Sequence, residues 1–140
     1  MRLERTELYN FIRAHRYGVV SSIAADGTPQ AALVGIAVSP DLEIYFDTTG
    51  DTRKAANLRR DPRIAIVIGW ENEQSVQYEG VADEPKGAEL AALRNIYYAA
   101  WPDGPGRESW PGITWFRVRP RWIRFSDFNR AADVVRELSF

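Results

Sequence analysis

The chain has 140 residues, of which 45% are hydrophobic and 26% charged, the length and balance of a single folded domain. Eighteen Lys and Arg against nineteen Asp and Glu leave a net charge of -1, which argues against a nucleic-acid partner. With no cysteine and one histidine, His15, the sequence excludes disulfides, thiol catalysis and Cys- or His-cluster metal sites, and it makes a Ser-His-Asp apparatus hard to build.

Residues 3–15 place Leu3, Leu8, Phe11 and Ile12 on one face, so a short amphipathic helix is predicted, with Tyr17-Gly18 as its stop. A strand over 18–25 and a return strand over 30–38 flank Asp26-Gly27, a strong hairpin signal. Within the return strand Gly35 marks a bulge or a close backbone approach. The turn Ser39-Pro40-Asp41 leads to a third strand over 42–47, completing an antiparallel meander. Residues 51–60 suit a helix capped by Asp51 or Thr52, with Ala55 and Leu58 inward and Pro62 beyond its end.

Residues 63–70 are apolar on both faces, as in a strand buried inside a closed barrel, and 74–83 alternate as its partner. A helix over 86–100 carries Leu90, Leu93 and Tyr97 on one stripe. Three prolines and three glycines make 101–112 a loop. One or two strands follow over 113–125, with Pro120 at an edge or break, and 129–138 suits a last short helix. No repeat or linker divides the chain, so residues 1–140 read as one domain. The expected fold is mainly β: a six- to seven-stranded antiparallel split barrel with short α-helices. No apolar run approaches the roughly 20 residues of a membrane span, and the first residues hold no signal-peptide core, so a soluble, cytoplasmic protein is expected.

The chemistry concentrates in 45–54, YFDTTGDTRK. A strand ends, Thr48, Thr49 and Thr52 supply hydroxyls, and Arg53-Lys54 open a helix whose N–H groups favour an anion. A phosphate suits such a site. The plainer reading is a capped helix with two solvated cations. The G-x-x-x-x-G-K-[ST] spacing of a P-loop is absent. His15 suits a surface role at a helix end, and Glu71, Asn72 and Glu73 a solvated turn rather than a metal site. The aromatics Tyr97, Tyr98, Trp101, Trp110 and Trp115 are expected in the core or at dimer contacts, with the wall of a substrate pocket as the alternative for one or two of them. Arg117, Arg119, Arg121 and Arg124 are expected on a solvated strand face.

An ordered series of motifs resembles the pyridoxamine 5'-phosphate oxidase-like family, the FMN-binding split barrels. It runs from Tyr17 to Phe125: Gly18-Val19-Val20-Ser21-Ser22-Ile23 with Asp26-Gly27-Thr28-Pro29, Tyr45-Phe46-Asp47-Thr48, Arg53-Lys54-Ala55 with Asn57-Leu58, Asp61-Pro62-Arg63, and Ser75-Val76-Gln77-Tyr78-Glu79-Gly80. The resemblance implies a homodimer with FMN at the subunit interface and an oxidoreductase acting on a small molecule. Arg53 and Lys54 are implied to hold the FMN phosphate within the loop of Asp47, Thr48, Thr49 and Thr52. The backbone of Leu33, Val34 and Gly35 is implied to run beside the flavin ring, which Gln74 or Ser75 approaches. Two departures stand out. The family's second-strand Arg and Lys are replaced by Ala32 and Ala37, and its C-terminal Arg-x-His element has no counterpart in Arg124–Arg130. Oxidation of pyridoxamine phosphate is therefore not expected. The deazaflavin F420, or a non-catalytic flavin-binding module, is the alternative. No side chain is assigned an acid–base role.

Overall fold

The computed structural model describes residues 2–140. Helix α1 (Arg5–Ala14) leads into β1 (Tyr17–Ile23), which returns as β2 (Pro29–Gly35). The hairpin closes because Gly27 adopts φ +86 and the Thr28 amide donates to the Asp26 carboxylate at 3.0 Å. After Ile36 come β3 (Ala37–Val38), β4 (Ile44–Thr49), α2 (Arg53–Arg60), β5 (Arg63–Ile68), β6 (Gln74–Asp83), α3 (Gly87–Ala100), β7 (Ile113–Asp127) and β8 (Val135–Ser139). A single 3-10 turn, Gly104–Arg107, breaks the loop before β7.

All strand pairs are antiparallel, in the order β2-β1-β5-β6-β7-β4-β3, with β8 paired to the second half of β7. The expected return strand is therefore one run of chain shared between the two ends of the sheet. Its first part pairs with β1 and its last two residues pair with β4. That division at Ile36 curls the sheet into a half-barrel, the mainly β split-barrel architecture expected. Its interior is packed by Ile36, Ile44, Ile66, Ile68, Val76 and Ile123, all at or below 2% exposure. Phe46 and Phe116 stack at 5.6 Å inside it, and the buried Tyr78 hydroxyl donates to the Leu42 carbonyl at 2.7 Å, with the Val118 carbonyl 3.1 Å away. Helix α1 plugs one end with Leu8 and Ile12, and α3 lays Leu93 and Tyr97 against Ala37, Tyr45 and Trp115.

Two local expectations, the last helix and the burial of 63–70, are corrected, and the choice between one strand and two over 113–125 is settled as one. The segment 129–138 does not form a helix; it contains β8, because Arg136 points inward while its neighbours Val135 and Glu137 are exposed, a period of two. The inward guanidinium is matched by Glu7 at 2.8 Å. Strand β7 continues through Pro120 over 15 residues, since a bulge at Glu79/Gly80 absorbs the irregularity. Strand β5 is buried on one face only: Ile64, Ile66 and Ile68 face the core, whereas Ala65 and Val67 are exposed. The apolar residues of its other face join Leu33 of β2 on an outer sheet surface that no helix among the described residues covers.

Candidate functional site

The loop from β4 to α2 forms as the sequence suggests, with Thr52 as the cap. Its hydroxyl accepts from the Ala55 amide at 3.3 Å and donates to the Thr49 carbonyl at 3.0 Å. A hydroxyl has one proton, so the contact at 3.2 Å to Thr48 has Thr48 donating. The Thr49 hydroxyl donates to Asp51 at 2.6 Å. In this arrangement the three threonines build the loop, and the groups left to meet an anion are the first amides of α2 and the cations of Arg53 and Lys54.

Those groups border a pocket of about 370 Å³ lined by Val20, Ser22, Gln30, Ala31, Ala32, Asp51, Thr52, Arg53 and Lys54. Arg53 is exposed. Lys54 is half-buried, and among the described residues no carboxylate lies within ion-pairing distance of it. Burial lowers its pKa from the ordinary lysine range, and the Asp47 charge opposes that shift. The pocket's opposite wall is held by Asn57, whose amide donates to Ser22 at 3.0 Å and to Gln30 at 2.8 Å. Asn57 has no counterpart in the sequence-level site. Its position three residues after Lys54 on a short helix is the signal that places it on the inner face.

The other expected residues are distributed differently. Asp47 is engaged inside the protein: Tyr97 donates to one carboxylate oxygen at 3.0 Å and Arg107 to the other at 2.9 Å. Burial and the Asp47 carboxylate raise the Tyr97 pKa above its usual range. Arg107 comes from the Pro/Gly-rich loop, 60 residues away, and no local pattern points to it. Leu33 is 61% exposed on the outer sheet face and Val34 points inward. At Gly35 the open side is filled by Trp101, whose indole donates to the Ile36 carbonyl at 2.9 Å. Gln74 donates to Asp127 at 3.1 Å, and Ser75 is half-buried beside it.

Gln74 and Ser75 lie far from Leu33, Val34 and Gly35 within this chain. Val34, Gly18, Ile68 and Val76 stand in one row across β2, β1, β5 and β6. That row spans three strand spacings, about 14 Å along the sheet. Of the arginines of β7, Arg119 and Arg121 are exposed as expected, whereas Arg117 is clasped by Asp83 at 2.6 Å and Glu89 at 2.8 Å and Arg124 pairs with Glu137. No helix among the described residues is long and apolar enough to cross a membrane.

The comparisons with known proteins agree with this fold. A curated pyridoxine/pyridoxamine 5'-phosphate oxidase from Cupriavidus metallidurans is 29% identical over 92 residues, which is 65% of this chain and 42% of that protein. This chain thus spans about two fifths of the length of that relative. The solved structure of a heme binding protein from Mycobacterium smegmatis superposes with a TM-score of 0.82 at 22% identity, covering 99% of this chain and 59% of that one. A conserved hypothetical protein from Mycobacterium tuberculosis gives 0.74 at 26% identity, covering 89% and 85%. The family model described as Pyridoxamine 5'-phosphate oxidase matches residues 5–127, and the chain belongs to that family.

Proposed function

We propose that this protein binds FMN and serves as a flavin-dependent oxidoreductase on a small molecule, working as a homodimer. The observation that carries the reading is Lys54: a half-buried cation without a carboxylate partner, at the start of α2, bordering a pocket of about 370 Å³. A dianionic phosphate there meets two cations and the free amides of the helix. Leu33 and its neighbours on β2 offer the adjacent apolar surface for a planar ring. The flavin would supply the hydride or electron chemistry, and the protein would hold its phosphate and shape access to the ring.

The dimer is supported by two observations. The outer face of β2, β1 and β5 leaves Leu33 and Val67 exposed at 61% and 40%. Gln74 and Ser75, three strands from Leu33, are better placed to serve the site of a second copy than their own. Oxidation of pyridoxamine phosphate itself is disfavoured, since Ala32 and Ala37 replace cations. Arg124 and Asp127, in the C-terminal region, are also engaged with Glu137 and Gln74.

A second reading, that the barrel carries heme, is favoured by the mycobacterial heme binding protein that matches 99% of this chain. Titrations of the purified full chain with FMN, F420 and heme separate the readings. The flavin reading expects saturable FMN binding that falls at least about 100-fold in the Arg53→Ala/Lys54→Ala variant, because each charged hydrogen bond contributes about 1.5–3 kcal/mol. Equal FMN affinity in the variant refutes the phosphate site, and selective F420 binding moves the function to a deazaflavin reductase.

A further inference from the structure

The single imidazole of the chain is held in a manner the flavin site does not use. His15 follows α1, and its Nδ1 lies 2.7 Å from the Phe11 carbonyl. A carbonyl oxygen only accepts, so Nδ1 carries a proton and Nε2 is the nitrogen left for a ligand. The ring is fixed further by Phe11, whose centroid lies 4.2 Å away, and Phe11 is itself wedged edge-on against Phe125 at 4.8 Å. Gly69 takes φ +67 beneath this pair, where a Cβ would stand 2.6 Å from the Phe11 ring. The end of β5 can therefore pass directly under His15.

Beside the imidazole lies a pocket of about 340 Å³, lined by Arg16, Tyr17, Gly69, Trp70 and Glu71. Tyr17 and Trp70 are about half exposed, at 49% and 52%, so two aromatic side chains border it with surface to spare. Among the described residues no three His, Asp or Glu side chains converge on a metal ion. A bare ion would find one nitrogen here, too few donors for a protein metal site. A metal already held by four equatorial nitrogens in a planar macrocycle needs only one donor from the protein, on a side chain whose other nitrogen is anchored. Arg16, at the rim, is engaged elsewhere, stacked over Trp101 at 4.0 Å and donating to the Ala100 carbonyl, so the imidazole and the two aromatic walls carry the fit.

We propose that His15 is the axial ligand of a heme iron, through Nε2, with Tyr17 and Trp70 flanking the macrocycle. This rests on the heme reading above and is independent of Lys54. The test is a spectroscopic titration of the full chain with ferric heme, in the wild type, His15→Ala, His15→Gln and Trp70→Ala. The wild type is expected to saturate at one heme per chain with a shifted Soret band. Both His15 variants are expected to bind at least 10-fold more weakly and to lose the imidazole-ligated spectrum, and added imidazole is expected to restore it. Trp70→Ala is expected to weaken binding while keeping that spectrum.

FMN titration and far-UV circular dichroism of the same variants show that fold and phosphate pocket are intact. If the wild type gives no shifted Soret band, the heme reading itself is overturned. If it does, but the His15 variants keep the same spectrum and affinity, the ligand assignment alone is overturned.

Discussion

Adding a single methyl group at Gly35 tests how β2 is positioned. A Cβ built there stands 2.6 Å from Trp101 Cζ2 and 2.9 Å from Cε2, well inside contact distance. The φ of Gly35 is not in the left-handed region, so alanine brings no backbone strain. In open space the change would stabilise by about 0.4–1 kcal/mol through the unfolded chain. Here the indole must yield. Moving it forfeits the bond to the Ile36 carbonyl, about 1 kcal/mol, and the stack of Arg16 at 4.0 Å over the ring, about 0.5–1 kcal/mol. Overpacking strain of about 1–3 kcal/mol is the alternative if it stays. Set against that gain, Gly35→Ala is therefore expected to cost about 1–2 kcal/mol in urea unfolding. Because the clash needs both partners, Gly35→Ala in a Trp101→Ala background is expected to cost nothing further, a coupling of about 1–2 kcal/mol. Additive costs, or a Gly35→Ala protein within 0.5 kcal/mol of wild type, would refute the packing argument.

The other predictions concern Asn57, which holds Ser22 and Gln30 in the wall of the pocket beside Lys54, and Glu84, which clasps Arg59 at the end of α2. Asn57→Ala leaves the Ser22 and Gln30 oxygens without their donor, and a loss of about 2–3 kcal/mol is expected by denaturant titration. A loss below 1 kcal/mol would show that water replaces the amide. Glu84 accepts two bonds from Arg59 and one from the Thr114 hydroxyl; these bonds, Arg59 first, hold its pKa at about 2 against the opposing effect of burial. The folded pKa lies below the unfolded value near 4.5. The contribution is therefore complete above pH 4.5 and drains away as pH falls toward 2. With Arg59 46% exposed, it amounts to about 1–2 kcal/mol. Melting temperatures of wild type and Glu84→Gln are expected to differ at pH 6 and to converge as pH falls toward 3. A constant gap over that range contradicts the linkage.

Much of the architecture was legible because it follows from local chemistry. Asp26-Gly27 makes the first hairpin, Thr52 caps α2, and Gly35 marks a close approach. What escaped the sequence is set by partners distant along the chain. Arg136 lies in a polar run of helical composition, and only its meeting with Glu7 explains why the run extends as a strand. Asp47 looked like part of the cofactor loop, yet Tyr97 and Arg107 bond both oxygens of its carboxylate, from 50 and 60 residues away. The apolar pattern of 63–70 suggested burial on both faces, but one chain supplies a cover for only one.

The contact between Glu7 and Arg136 also orders events in time. The two residues are 129 positions apart, and they join α1 to β8 with the guanidinium almost wholly buried. At about 5–20 residues per second on a ribosome, Glu7 waits roughly 6–26 s before its partner has been made. During that interval α1 lacks the contact that fixes it beside β7, so hydrogen exchange on a nascent or truncated chain should find this helix open while β1, β2 and β5 are already protected.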